Sequence, residues 1–116
     1  MINQHIKLSD IVFSYSKVVS EDAIDGLDHV NNITYLKWVL EAAEKHWEFL
    51  TKGIFEDRYA WVVLRHEIDY RAAAELDDNI VITTWIGDSY GVKSERFVQI
   101  KKDTNILAEC KTIWCL

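Results

Sequence analysis

The chain has 116 residues, 49% hydrophobic and 28% charged, with no proline, four glycines, five Trp, five Tyr and four Phe. That length and balance predict one folded domain over residues 1–116 and exclude collagen-like, Pro-rich, disordered and long-linker designs. Thirteen Lys and Arg against nineteen Asp and Glu give a formal net charge of −6, the wrong sign for a protein that tracks a phosphate backbone, so no nucleic-acid partner is expected.

The opening run MINQHIKLSD has no apolar segment of signal type, and nothing approaches the roughly 18 apolar residues of a membrane span. A cytoplasmic location without membrane association is expected. Asp10 to Val19 alternates with Val, Phe, Tyr and Val and reads as a strand. A polar connection from Ser20 to Asn31 then leads to the strongest periodic signal in the chain. From about Asn32 to Lys52, Ile33, Leu36, Val39, Leu40, Ala43, Trp47 and Leu50 recur at spacings of three and four, one apolar helical stripe. Lys37, Glu41, Glu44, Lys45 and Glu48 fill the opposite face, with Glu41 placed to pair with Lys45. Asn31 and Asn32 are N-cap candidates and Gly53 is the expected left-handed C-cap.

Four β-like runs follow. Tyr59 to Arg71 places Ala60, Val62, Leu64, His66, Ile68 and Tyr70 on one face, a half-buried pattern. Asn79 to Ile86 is apolar on both faces, which suits an internal strand. Lys93 to Lys102 and Ile106 to Leu116 are joined through Asp103-Thr104-Asn105 as a hairpin, and Gly87 and Gly91 bracket the turn before them. Cys110 and Cys115 lie an odd number of residues apart in one strand and point to opposite faces, so no disulfide is expected. His5, His29, His46 and His66 lack ligand spacing, so neither a metal nor another cofactor is expected.

One strand, one long helix and four consecutive strands predict an α+β architecture, an antiparallel five-stranded sheet with the helix on one face. A helix about 10 Å wide covers only part of a sheet spanning roughly 20 Å, so a second copy of the chain is expected to cover the rest, as a homodimer or a further tetramer.

The connection into the helix carries the chemistry. A helix N-terminus presents unsatisfied N–H groups and partial positive charge, which suits the oxyanion of acyl transfer, and a nearby carboxylate, Asp25, suits activation of water or attack on a carbonyl. The same residues are read equally as a solvated, dipole-compensating loop, with His29 as a packing residue, Asn31 and Asn32 as caps and Tyr35 on the helix flank.

The run Asp25-x-x-x-His29-Val30-Asn31-Asn32-x-x-Tyr35-Leu36-x-Trp38 resembles the signature of hotdog-fold acyl thioesterases, specifically the 4-hydroxybenzoyl-CoA thioesterase-like group, and is also similar to plant acyl-acyl-carrier-protein thioesterases. The resemblance implies a sheet wrapped around one helix, subunits paired into a continuous sheet, and hydrolysis of an acyl-CoA, or alternatively an acyl-carrier-protein thioester. It implies Asp25 as nucleophile or base, the Asn32 amide as oxyanion donor and His29 as a further catalytic group. Asn31, Tyr35 and His66 are then expected to contact substrate. The basic concentration of Lys93, Arg96, Lys101 and Lys102 is expected to meet the nucleotide phosphates, or else to be an ordinary charged surface. Leu27 stands where the plant-type pattern carries Asn, and Asp28 where many bacterial members carry Gly. A hotdog dehydratase and a non-catalytic acyl-thioester-binding protein are the rival readings.

Overall fold

A computed structural model of the protein describes residues 11–25, 29–52 and 61–116. It contains β1 (Phe13–Val18), a short 3-10 turn (Glu21–Ala23), α1 (Asn32–Thr51), β2 (Val62–Tyr70), β3 (Asn79–Tyr90), β4 (Lys93–Lys102) and β5 (Asn105–Cys115). The strands form one antiparallel sheet in the order β1-β3-β4-β5-β2, and α1 lies across β3 and β4. The expected α+β architecture is the one observed. β3 is internal, as its two-sided apolar pattern requires, and runs four residues past the expected end at Ile86. Gly87 therefore sits within the strand, at a register shift between Ile86 and Ser89. A Cβ there would lie 2.5 Å from the Phe97 ring, so the glycine makes room for the Trp85–Phe97 stack on the outer face. The tight turns are Gly91-Val92 and Asp103-Thr104, with positive φ at Gly91 and Asp103, residues that tolerate left-handed backbone.

Two expectations about side-chain direction are corrected. The buried face of α1 consists of Thr34, Tyr35, Trp38, Val39, Ala42, Ala43 and His46. The apolar stripe read from the sequence shares only Val39 and Ala43 with it, and Ile33 is 67% exposed. Side chains with an apolar body and a polar tip, each given a hydrogen-bond partner or a ring contact, take the core positions instead. At the other end, the left-handed C-cap is Lys52, while Gly53 lies outside the described residues.

The second correction is in β2. A register shift between Val63 and Arg65 breaks the two-residue alternation, so Val63 pairs with Trp114 while Val62 and Leu64 are exposed. Leu64 therefore faces away from the helix. The core lies between α1 and the inner sheet face, built on Ile80 and Ile82 of β3, Val98 and Ile100 of β4, and Ala108 and Cys110 of β5. Cys110 and Cys115 are both free thiols.

Glu41 shows how the helix is tied to the sheet edge. Its carboxylate accepts from Lys17 Nζ at 2.8 Å and from the Tyr15 hydroxyl at 2.8 Å, rather than pairing with Lys45, which lies over the Tyr15 ring. Burial raises its pKa, but the bonds from Lys17 and Tyr15 more than offset this and hold it below the ordinary glutamate value.

Candidate active site

The polar connection before α1 is folded back on itself. Ile24 and Val30 form an antiparallel bridge, and the Asp25 amide donates to the His29 carbonyl at 3.0 Å. The Val30 amide donates to the Ala74 carbonyl and His29 bridges Glu75, which stitches this hairpin to the segment after β2. Asp25 and His29 are thereby held side by side at the start of the helix. Gly26, Leu27 and Asp28 lie outside the described residues, the last two being the positions where the chain departs from the patterns it resembles.

Asn31 is the N-cap: its Oδ1 accepts from the Thr34 amide at 2.9 Å. The Tyr35 amide is taken by the Asn31 carbonyl. Of the first-turn donors, the cap and the helix thus satisfy Thr34 and Tyr35, while Asn32 and Ile33 occupy positions whose amides have no intrahelical acceptor. Both residues line an open cleft of about 650 Å³, together with Asp25, His29, Asn31 and Tyr35. Five of the residues singled out from the sequence therefore come together in one place. A carboxylate, an imidazole and a helix N-terminus lining one cleft are parts that acyl transfer can use.

Tyr35 is nearly buried, packed edge-on against Trp38 and Tyr70 at 5.4 Å. Its hydroxyl accepts from the Ala74 amide at 2.9 Å, tying the helix to the opposite wall of the cleft. Tyr35→Phe leaves that fully buried amide unpaired and is expected to cost about 1–3 kcal/mol in a urea unfolding curve. A change below about 0.5 kcal/mol would show that the bond contributes little.

The remaining expected contacts are elsewhere. His66 Nδ1 is bonded to Thr112 Oγ1 at 2.8 Å on the inner sheet face and is not among the cleft residues. Lys93 and Arg96, three apart on a regular strand, point to opposite faces, which corrects the expectation of one basic surface. Arg96 is 7% exposed and sits under the helix, with Nη1 donating to His46 Nδ1 at 2.8 Å and to Thr84 Oγ1 at 3.1 Å. Lys102 is paired with Asp78. The cation beside the cleft is Arg71, which the sequence reading missed along with Tyr70, Ala72 and Ala73. They lie at and just after the end of β2, 45 to 48 residues after Asp25, and the tertiary pairing of the 74–75 segment with 29–30 brings them near. Among the described residues, no cluster of His, Cys, Asp and Glu is placed to hold a metal.

His46 is held neutral by its surroundings. Burial, reinforced by the Arg96 charge, pushes its pKa down to about 4. The unfolded chain takes up a proton near the ordinary histidine value while the folded chain does not, so this residue makes stability rise with pH between about 4 and 6.5. The loss on acidifying across that window is roughly 3 kcal/mol. His46→Gln keeps an acceptor for Arg96 but cannot titrate, and its stability should fall less steeply over the same range. Parallel curves for the two proteins would contradict this.

The family model described as Thioesterase-like superfamily matches residues 18–114. The chain belongs to this superfamily. No curated protein sequence matches it. Among solved structures, a 1,4-dihydroxy-2-naphthoyl-CoA thioesterase from Synechocystis is 22% identical with a TM-score of 0.76, over 90% of this chain and 80% of that one. A Staphylococcus aureus protein solved in complex with CoA is 19% identical with a TM-score of 0.82, over 98% of this chain and 73% of that one. An acyl-ACP thioesterase from Bacteroides thetaiotaomicron gives a TM-score of 0.80 at 18% identity, over 90% of this chain and 44% of that one. At these identities the likeness is one of fold, and the fold of this thioesterase-like chain is the hotdog: five antiparallel strands against one long helix. The cleft at the start of α1 lies within the stretch that the superfamily model matches.

Proposed function

We propose that the protein hydrolyses acyl-CoA thioesters to free acid and CoA in the cleft at the start of α1. The observation that supports this most is the meeting in one cleft of Asp25 and Asn32, a first-turn residue whose amide has no intrahelical acceptor, in a chain of the thioesterase-like superfamily. The thioester carbonyl oxygen would face the Asn32 amide. As base, Asp25 takes a proton from water while the water oxygen bonds to the carbonyl carbon; as nucleophile, it bonds to that carbon itself and water releases the acid afterwards. In either case charge gathers on the carbonyl oxygen at the positive end of the helix, and collapse expels the thiolate, which takes up the proton. A thiol is a good leaving group, so the chemistry needs neither a strong general acid nor a metal. His29 is proposed as a further polar group at the reacting centre, and Asn31 and Tyr35 as the residues that hold the helix end in place.

The CoA-bound neighbour favours coenzyme A as carrier, and the acyl-ACP neighbour keeps an acyl carrier protein as the second reading. The net charge of −6 disfavours docking of a strongly acidic partner. A homodimer is proposed because β2 leaves one sheet edge unpaired within the protomer and exposes Val62 and Leu64 on it. A light-scattering mass near twice 13.6 kDa is expected; a mass of one chain at micromolar concentration would contradict it. Product analysis by mass spectrometry tests the reaction itself. Equimolar acid and CoA are expected from a saturated acyl-CoA, whereas water added across an enoyl-CoA without thiol release would place the protein with the dehydratases.

A further inference from the structure

A second cavity, of about 280 Å³, lies between the later turns of α1 and the sheet and shares no lining residue with the cleft. Its walls are apolar and aromatic: Leu40 and Trp47 from the helix, Ile86 from β3, Trp114 from β5, and Trp61 packed edge-on to Trp47 at 5.7 Å. Leu40 and Trp47 belong to the part of the apolar helical stripe read from the sequence that is not on the buried face of α1, and Ala43 borders that face.

Of the six lining side chains that carry a polar group, Arg96 and the indoles of Trp47, Trp61 and Trp114 are donors only, Ser94 donates and accepts, and Glu44 accepts. Arg96 lines it, 7% exposed, and both of its protein hydrogen bonds run through Nη1 to neutral acceptors. A guanidinium carries five N–H groups, so most remain for the cavity. Among the described residues no carboxylate is paired with Arg96, and burial lowers its pKa only to about 10, which leaves it charged at neutral pH. The indole nitrogens of Trp61 and Trp114 are likewise buried and without an acceptor among the described residues. A buried cation and two buried N–H groups with nothing to donate to are costly unless something supplies the acceptors. The acidic residue on the lining, Glu44, is solvent-exposed, at the mouth.

We infer that this cavity is a binding site for a small carboxylate with a flat apolar body, its carboxylate on Arg96 and its body among the indoles of Trp47, Trp61 and Trp114. The charge of the ligand supplies the anion that Arg96 lacks, and the bidentate geometry of a carboxylate matches a guanidinium fork. The indoles offer flat apolar surface for the body, with N–H groups at the edge for further acceptors. The site does not depend on the thioesterase reading, because its ligand is a free acid and its residues are not those of the cleft.

The probe is 3-phenylpropionate, titrated into protein with ¹⁵N-labelled indoles, with 3-phenylpropionamide as the neutral match. The acid is expected to move the Trp61 and Trp114 indole N–H signals saturably while that of Trp38, beside the cleft, stays in place. The amide and Arg96→Met are expected to bind at least tenfold more weakly. Ser94→Leu fills the lining beside Arg96 without removing the charge and is expected to abolish binding, which keeps the test decisive if Arg96→Met does not fold. The inference is overturned by no shift up to about 10 mM acid, by equal affinity for acid and amide, by undiminished binding in Ser94→Leu, or by shifts confined to Trp38.

Discussion

Asp25→Ala is expected to lower kcat/KM for acyl-CoA hydrolysis by at least about 100-fold, the lower end of what a positioned general base or nucleophile contributes. The residue is exposed, on the surface of the cleft. The variant should therefore fold with its melting temperature changed by no more than a few degrees, as surface substitutions usually do. A large loss of rate with little loss of stability separates a chemical role from a structural one. Asp25→Asn sharpens the reading, since it keeps the shape and removes the charge; it should be impaired nearly as much. Full activity in Asp25→Ala would remove the carboxylate from the mechanism.

The largest expected effect on stability is that of Ile82→Ala. Ile82 is fully buried in β3, directly opposite Tyr15 of β1 and Ile100 of β4, so its side chain fills the middle of the layer between sheet and helix. Removing three carbons from such a site costs the lost transfer free energy and leaves a void that neighbours on two strands cannot close, about 2–5 kcal/mol in all. For a chain of this size that corresponds to a fall in melting temperature of roughly 10–20 °C. A fall of under about 3 °C would mean that the core does not centre on this row. The same comparison guards the activity experiments, because a variant this unstable would lose turnover for reasons unrelated to the cleft.

The outline of the fold was legible because the signals for it are local. Apolar alternation and turn residues located five strands, the cap at Asn31 set the start of the helix, the order of elements pointed to an α+β sheet with the helix on one face, and the motif resemblance pointed to the same architecture. What was misread depends on tertiary context. The face of α1 turned to the sheet carries Tyr35, Trp38 and His46, and the partners of the Tyr35 hydroxyl and of His46 Nδ1, the Ala74 amide and Arg96, are distant in sequence. Hydropathy ranked them below Ile33 and Leu40, which the fold leaves exposed. Leu64 was assigned to the inner face because a strand was assumed to keep its alternation, and one irregularity in β2 reversed it.

The candidate site divides in the same way. Asp25, His29, Asn31, Asn32 and Tyr35 are close in sequence, so a motif reveals them together. Tyr70 and Arg71 reach the cleft only through the pairing of the chain after β2 with the loop before α1. Arg96 was expected to meet the nucleotide phosphates or else to lie on a charged strand surface, because arginine is rarely buried, and its place under the helix is visible only once His46 and Thr84 are seen to accept from it.

The most direct test is thiol release by the purified wild-type protein from a panel of acyl-CoAs that spans short, long and aromatic acyl groups. At least one member is expected to turn over far above its spontaneous rate, with saturation in substrate and with free CoA matching the acid formed. No turnover of any member by a protein shown to be folded, while acyl-CoA still raises its melting temperature, would contradict hydrolysis and leave a binding protein in its place.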